Sequence, residues 1–345
     1  MKKLFAGIGI LGLFLCSTCV VSKEPQVTRP NVPGESFQVV FYNVENLFDT
    51  EDDPAKLDDD FTPSGKYAWD EERFTTKIHR IGEVLGKIDP ELPGLVGLCE
   101  VENRAVLESL VKSEGLSAAG YKIIHQDSPD ERGIDVALLY KPGLLNLVEE
   151  EFLEVRLPDG NDPDTRDILH ATFKVGGELL HVYVNHWPSR GKGQEETEIN
   201  RVTAAGIASK SINGLLSKTP DAKILVMGDF NDYPENKSIG HVLDAGEDHS
   251  HLLYDYMAPL DAAGDGSYWY QGDWGTLDQF MGSWSLVEST RGLNAHVGSA
   301  SIFKWEGLFF TDGKGVQRPD RTYAGESYKG GYSDHLPVIL RMNRD

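Results

Sequence analysis

Cysteine is scarce, with three in 345 residues, and two of them, Cys16 and Cys19, lie within the first twenty. Only Cys99 stands beyond them, so no internal disulfide can brace the rest of the chain. The C-x-x-C spacing of the first pair falls at the end of an apolar segment and reads as processing chemistry, not as a redox or zinc motif. Positive charge is also short, at 33 Lys and Arg against 55 Asp and Glu, for a formal net charge of −22. A surface of that sign repels polyanions, which argues against stable nucleic-acid binding and still permits transient contact with a phosphate. No G-x-S-x-G occurs, and Ser333 stands too near His335 in sequence for a triad, so a serine nucleophile has no support. No G-x-x-x-x-G-K-[ST] loop occurs either, which removes nucleotide-driven phosphoryl transfer.

Apolar residues make up 40% of the chain, enough to bury a sizeable core. The opening MKKLFAGIGILGLFLCSTCVVS sets two lysines before an apolar stretch and then small polar residues, the layout of an export signal over residues 1–21. A membrane-anchoring helix is the alternative, because the apolar run approaches the length that spans a bilayer. A lipid anchor on Cys16 or Cys19 is a second alternative, although LFLC and CSTC lack the small residue usual before a lipidated cysteine. The chain is therefore expected to be exported, as a periplasmic, outer-membrane-anchored or extracellular monomer. Without residues 1–19 it carries 31 basic against 55 acidic residues, a formal charge near −24. Residues 22–34, with Pro25, Pro30 and Pro33, read as a tether, and residues 35–345 as one domain.

Within that domain strand-like and helical patterns alternate. FQVVFYNV reads as a strand, and Phe74, Ile78, Ile81, Leu85 and Ile88 then recur at steps of three and four, one face of a helix. LVGLCEVE reads as a strand, NRAVLESLVKSEG as a short helix, and YKIIH, IDVALLY and LLHVYVNHW as strands. Ile199, Val202, Ala205, Ala208, Ile212 and Leu215 mark a second helical stripe before the strand KILVMGD. Such alternation predicts an α/β layered domain with sheets inside and helices outside. The acidic stretch Glu51–Asp60 lacks the Gly and terminal Glu of a calcium-binding loop and reads as solvated.

Polar residues suited to metal or phosphate chemistry recur at the ends of the strand-like runs. Asn43 and Glu45 follow FQVVFY, Glu100 follows LVGLC, and Asp135 opens DVALLY. Asn185 and His186 end LLHVYV, Asp229 and Asn231 end KILVMG, Asp278 lies in LDQF, and Asp334 and His335 precede LPVIL. Singly each has the plain reading of a turn former or cap. Together they count for more, because strand ends on one edge of a sheet converge, and ligands bind at such edges. Oxygen donors without thiolates favour a hard cation, Mg2+ first with Mn2+ or Ca2+ as alternatives, and water activated beside it as nucleophile.

FYNVENLFD, GLCEVEN, RGIDVALLY, NHWPSR, GDFND, LDQF and GGYSDHLPV occur in the order seen in the endonuclease/exonuclease/phosphatase superfamily, which this chain resembles over about residues 36–343. The resemblance implies a four-layer α/β/β/α sandwich, two mixed β-sheets face to face with helices outside, and metal-dependent attack of water on a phosphoester. It implies Glu100 as principal metal ligand, aided by Asn43, Glu45 and Asp334. It implies Asp278 as the carboxylate that orients His335 and Asp135 as the one that orients His186; such pairing fixes a tautomer and stabilises the imidazolium. Asp229 and Asn231 match the GDxN signature, where the Asp holds or deprotonates water and the Asn donates to phosphate; members differ over whether this Asp or a histidine is the base. Glu45 is a departure, standing where many relatives have the shorter Asp. His186 matches the branch with two histidines, as in deoxyribonuclease I and bacterial sphingomyelinases.

Arg132 and Arg190 flank these motifs and could clamp a phosphate, or serve as surface ion pairs. Tyr268, Trp269, Tyr270 and Trp274 could stack a base or sugar, or simply pack. The expectation is a metal-dependent phosphoester hydrolase, a nuclease or other phosphodiesterase first, acting on nucleic acid or a small phosphorylated molecule. The alternatives are a phosphomonoesterase on sugar or inositol phosphates, a sphingomyelinase-like phospholipase, and a catalytically silent surface binding protein.

Overall fold

A computed structural model describes residues 35–158 and 165–344. The export-signal and tether readings, residues 1–34, lie outside the described residues. FQVVFYNV lies within a long strand, β1 (Glu35–Leu47), and its β-branched and aromatic residues are buried on both faces. The next strands are β2 (Leu95–Val101), β3 (Lys122–His125) and β4 (Asp135–Tyr140). They join Ala300–Ile302 and Val338–Arg344 in a six-stranded sheet ordered Ala300–Ile302, Val338–Arg344, β1, β2, β4, β3. β1 and β2 run parallel and the other pairs antiparallel.

A seven-stranded sheet takes β5 (Asn146–Leu153), β6 (Ile168–Val175), β7 (Glu178–His186) and β8 (Lys223–Asp229), then Asp278–Ser283, Leu253–Asp255 and Ala245–Gly246. It is mixed as well, with β7 parallel to β8 and Asp278–Ser283 antiparallel to β8. The two sheets pack face to face. A Cβ on Gly97 of β2 would stand 2.9 Å from the Met227 methyl on β8, so the Met227 side chain of the facing sheet packs into the space that glycine leaves. Tyr140 of β4 meets Phe173 of β6 edge to face at 5.1 Å.

Helices cover the outer faces. α1 (Glu71–Ile88) starts at Asp70, whose carboxylate accepts the Arg73 N–H, and α2 (Arg104–Lys112) starts at Asn103, which accepts from Ala105 and Val106. Each cap stabilises its helix by about 1 kcal/mol. α1 buries Ile78, Ile81 and Leu85 against the first sheet. α3 (Gln194–Leu216) packs on the second sheet, where Ala204, Ala205, Ala208 and Ile212 meet Tyr183, Trp187 and Val226.

The stripe expected on α3 holds at Ala205, Ala208 and Ile212 and departs in the first turns. Ile199 is 54% exposed, whereas Arg201 is fully buried beside Thr197 and Ala204. The reason is an ion pair: Arg201 Nε lies 2.8 Å from Asp232 Oδ1, so a cation takes the inward position that hydrophobic periodicity assigned to an aliphatic residue. All described residues belong to one compact unit, Gly34–Asp345. Among them no helix is long and apolar enough to cross a membrane.

Candidate active site

Strand register assembles the site. At the end of the second sheet His186 of β7 pairs with Asp229 of β8, and Asp229 pairs with Asp278 on its other side. One row of three strand ends thus carries an imidazole and two carboxylates. On the first sheet Asn43 of β1 pairs with Cys99 of β2, and irregularities in both strands turn the next residues aside. Glu45, Asn46 and Glu100 all have positive φ, at 52°, 59° and 60°, and Asn231 follows with 51°. Such backbone costs on the order of 1–3 kcal/mol per residue and persists where the surroundings over-determine it. Here the bulges aim carboxylate and amide groups toward the facing sheet.

Asp229 is the centre. Its Oδ2 accepts from Asn43 Nδ2 at 3.0 Å and lies 3.8 Å from both His186 Nε2 and His335 Nε2. Asn43 Nδ2 also stands 3.4 Å from Glu100 Oε1, and the Asn46 N–H donates to Glu100 Oε2 at 3.0 Å. His335 Nδ1 lies 2.7 Å from Asp278 Oδ2, which also accepts the Ser267 hydroxyl at 2.5 Å. Asn231 donates its N–H to Asp229 Oδ1 and its amide to the Trp187 carbonyl, each at 3.0 Å.

The two imidazoles are pushed apart electrostatically. Burial, then Arg166, Arg132 and His335, hold the His186 pKa well below its ordinary value, so this ring is neutral. Burial opposes charge on His335 too, but Asp278, with Asp229 and Asp334 behind it, outweighs that and raises its pKa well above the ordinary value. Burial pushes Asp229 up to about 7, with Asp278 adding to the rise and His335 opposing it. One carboxylate therefore sits between a neutral imidazole and an imidazolium, a division that suits acid and base roles.

Glu45 is a correction to the expected ligand set. Its Oε1 accepts from Arg321 at 2.9 Å and its Oε2 from the Thr322 N–H at 2.7 Å, so both oxygens are engaged. The longer side chain reaches past the bulge into a buried charge cluster. Lys77, buried under the same loop, donates to Thr322 Oγ1 at 2.5 Å and to the Tyr332 carbonyl at 2.6 Å. Burial brings the Lys77 pKa down to about 8 against the pull of Glu45. Arg321 also holds Asp334 Oδ2 at 2.9 Å, and Asp334 remains partly open to the cleft.

Asp135 is a second correction. His125 and Asp135 are diagonal neighbours on one sheet face, because His125 pairs with Ala137 and strand side chains repeat every second residue. Asp135 Oδ2 consequently lies 3.3 Å from His125 Nε2, while His186 belongs to the facing sheet and its Nδ1 has no hydrogen-bond partner. Arg190 is a third. Its guanidinium donates to the Asn231 carbonyl and, at 3.2 Å, to Asn236 Oδ1, lies 3.3 Å from Asp232 and stacks 4.2 Å over Tyr233. It holds the Asn231 loop and lines the cleft beside it, so most of its donors serve the protein itself. Arg190→Ala is expected to lower kcat roughly tenfold to a hundredfold by releasing Asn231, read by steady-state kinetics, with little change in thermal midpoint.

A cleft of about 960 Å3 opens over the row, lined by Glu100, His186, Asp229, Asn231, Asp334 and His335. Arg132 is exposed at its wall, with one donor on Asn46 Oδ1 at 2.6 Å. Tyr268 packs on His335 at 4.7 Å between ring centroids, and Tyr270 continues the wall. Trp269 lies under Arg318 and Trp274 against Phe309, so those two pack on the protein itself.

A model of the Endonuclease/Exonuclease/phosphatase family matches residues 38–344. The chain belongs to that family. Its members are phosphoester hydrolases, and this chain is a metal-dependent phosphoester hydrolase of the same kind. Among solved structures it is similar to truncated Caenorhabditis elegans TDP2, at 16% identity and TM-score 0.53, covering 90% of this chain and 98% of that one. It is also similar to the human Nocturnin catalytic domain with bound sulfate, at 16% and 0.55, covering 90% and 95%. A Bacteroides thetaiotaomicron mannosyl-6-phosphatase is similar at 14% and 0.55, covering 89% and 99%. No curated protein matches the sequence.

The family's divalent metal can be tested against the residues present. Glu100 faces the cleft half-buried, and among the described residues no ion pair neutralises it, while Asn43 lies beside it and Asp334 lines the same cleft. Glu100 and Asp334 are hard oxygen donors, Asn43 adds an amide oxygen, and the charge on Glu100 is uncompensated there, so the set fits such an ion. Sequence reasoning missed Arg166, which donates to Asp130 at 2.9 Å and to the His186 and Trp187 carbonyls at 3.2 and 2.9 Å. It also missed Lys77 and Arg321. No local pattern marks them, since each works through partners far away in sequence.

Proposed function

We propose that this protein hydrolyses phosphodiesters, with water as nucleophile and Mg2+ as its first-choice cation. The observation that carries the reading is Asp229 held 3.8 Å from a neutral His186 and 3.8 Å from a charged His335. Glu100, Asn43 and Asp334 would hold the ion, which when bound supplies Lewis-acid polarisation of a phosphoryl oxygen. Asp229 orients the attacking water and takes its proton. His335, held by Asp278, donates to the phosphate group as charge builds there. Asn231 and Arg132 donate to the non-reacting oxygens, and a neutral amide serves where another carboxylate would repel the anion.

The cleft supports a diester because it extends on both sides of the row, toward Tyr268 and Tyr270 and toward Leu57 and Leu157. Asp130 and Glu131 share its wall with Arg132, Arg166 and Arg190, and a net charge of −22 over the whole chain disfavours long duplexes and supports short or exposed substrates. The carboxylates on that wall, which can accept from hydroxyl groups beside guanidinium groups that attract phosphate, favour a small sugar phosphomonoester as a second reading. The test is turnover of bis(p-nitrophenyl) phosphate and of p-nitrophenyl phosphate, with Mg2+ and then with chelator. Diester turnover that exceeds monoester turnover and falls at least about a hundredfold on chelation is expected. Faster monoester turnover would select the second reading, and metal-independent rates would refute both.

A further inference from the structure

His125 closes β3, the edge strand of the first sheet. Its side chain is 2% exposed, yet Nε2 makes no hydrogen bond. Asp135 Oδ2 lies 3.3 Å from that nitrogen and Asp127 Oδ1 4.0 Å. Asp135 is itself buried, and its Oδ1 accepts the Ser128 N–H at 2.9 Å. An imidazole and two carboxylates are thus gathered at a sheet edge, with a buried ring nitrogen that faces both carboxylates and makes no hydrogen bond among the described residues.

We propose that His125, Asp127 and Asp135 bind a divalent transition metal of the zinc class. Their ligand atoms all lie within 4.8 Å of one another. Two ligands on a tetrahedral ion with metal–ligand bonds of about 2.0–2.1 Å stand roughly 3.3 Å apart, the separation already present between His125 and Asp135. Asp127 is 75% exposed, so its side chain can turn the remaining distance, and its open side admits the ion and completing waters. A dication offsets two carboxylates, one of them buried, and imidazole nitrogen selects zinc over magnesium, calcium or manganese. Asp135 pairs across the strands with Val101, the residue after Glu100, so the site braces the cleft wall from its outer side. The segment between its ligands carries Asp130, which pairs with Arg166, and Arg132, which faces the cleft.

Because the cleft also takes divalent ions, the test titrates Zn2+ calorimetrically into chelator-stripped full-length wild type, Glu100→Gln and Asp127→Asn. Asp127→Asn is expected to lose one equivalent, or to bind it at least about tenfold more weakly, while Glu100→Gln keeps that equivalent. Zn2+ should also raise the thermal midpoint of wild type more than that of Asp127→Asn, and Asp127→Asn should keep wild-type turnover in Mg2+. His125→Gln should reproduce the loss; if it does not fold, the exposed Asp127 variant decides alone. Equal stoichiometry and affinity in wild type and Asp127→Asn would overturn the site and leave His125 and Asp135 as a plain ion pair.

Discussion

Asp229→Asn is expected to lower kcat by at least about a hundredfold while the protein stays folded and still binds metal. The substitution keeps the volume and leaves an oxygen for the Asn231 N–H, which now bonds to Oδ1 at 3.0 Å. What it removes is the group that can accept a proton, at the point where His186 and His335 each stand 3.8 Å away. An amide nitrogen would also face Asn43 Nδ2, which must turn to relieve the donor clash. Thermal midpoint, metal titration and steady-state kinetics measured together separate these effects. A wild-type kcat in a folded, metal-binding variant would remove Asp229 from the proton-transfer role.

His335→Ala should cost at least about a hundredfold in kcat, and stability as well. Asp278 is fully buried, with Oδ2 shared between His335 at 2.7 Å and Ser267 at 2.5 Å, and its Oδ1 makes no hydrogen bond. Removing the imidazolium leaves a buried carboxylate without its cation, a loss of about 3–5 kcal/mol. The double variant His335→Ala with Asp278→Asn should therefore regain much of the lost thermal midpoint and none of the lost turnover. If turnover returned with stability, His335 would be a structural partner of Asp278 and nothing more.

The layered fold was legible because alternation of patterns is local: FQVVFYNV and KILVMGD read as strands, and the Phe74–Ile88 face as a helix, in agreement with β1, β8 and α1. Many site residues were legible for a related reason. Asn43, Glu100, His186, Asp229, Asp278 and His335 stand at strand ends, and the structure brings them to adjoining ends of two facing sheets. Partnership was less legible than position. Asp135 was matched to His186, but the alternation of side chains along β4 turns it to His125 instead. Arg190 reads as a phosphate clamp in NHWPSR, yet its donors belong to the Asn231 loop. The α3 stripe held at Ala205, Ala208 and Ile212 and missed in the first turns, where a buried Arg201–Asp232 pair leaves no hydrophobic signal.

By itself the sequence determined which residue types stand at which strand ends, since secondary-structure period and turn chemistry are encoded over a few neighbouring positions. It also determined that a serine triad and a nucleotide-phosphate loop are absent. Only the tertiary structure decided which charges meet. It set Arg321 and Lys77 beside Glu45, left Glu100 without an ion pair among the described residues, and made one histidine neutral and the other charged. The reason is that burial and Coulomb interaction depend on distance in space, and the residues concerned, such as Glu45 and Arg321, lie 276 positions apart along the chain.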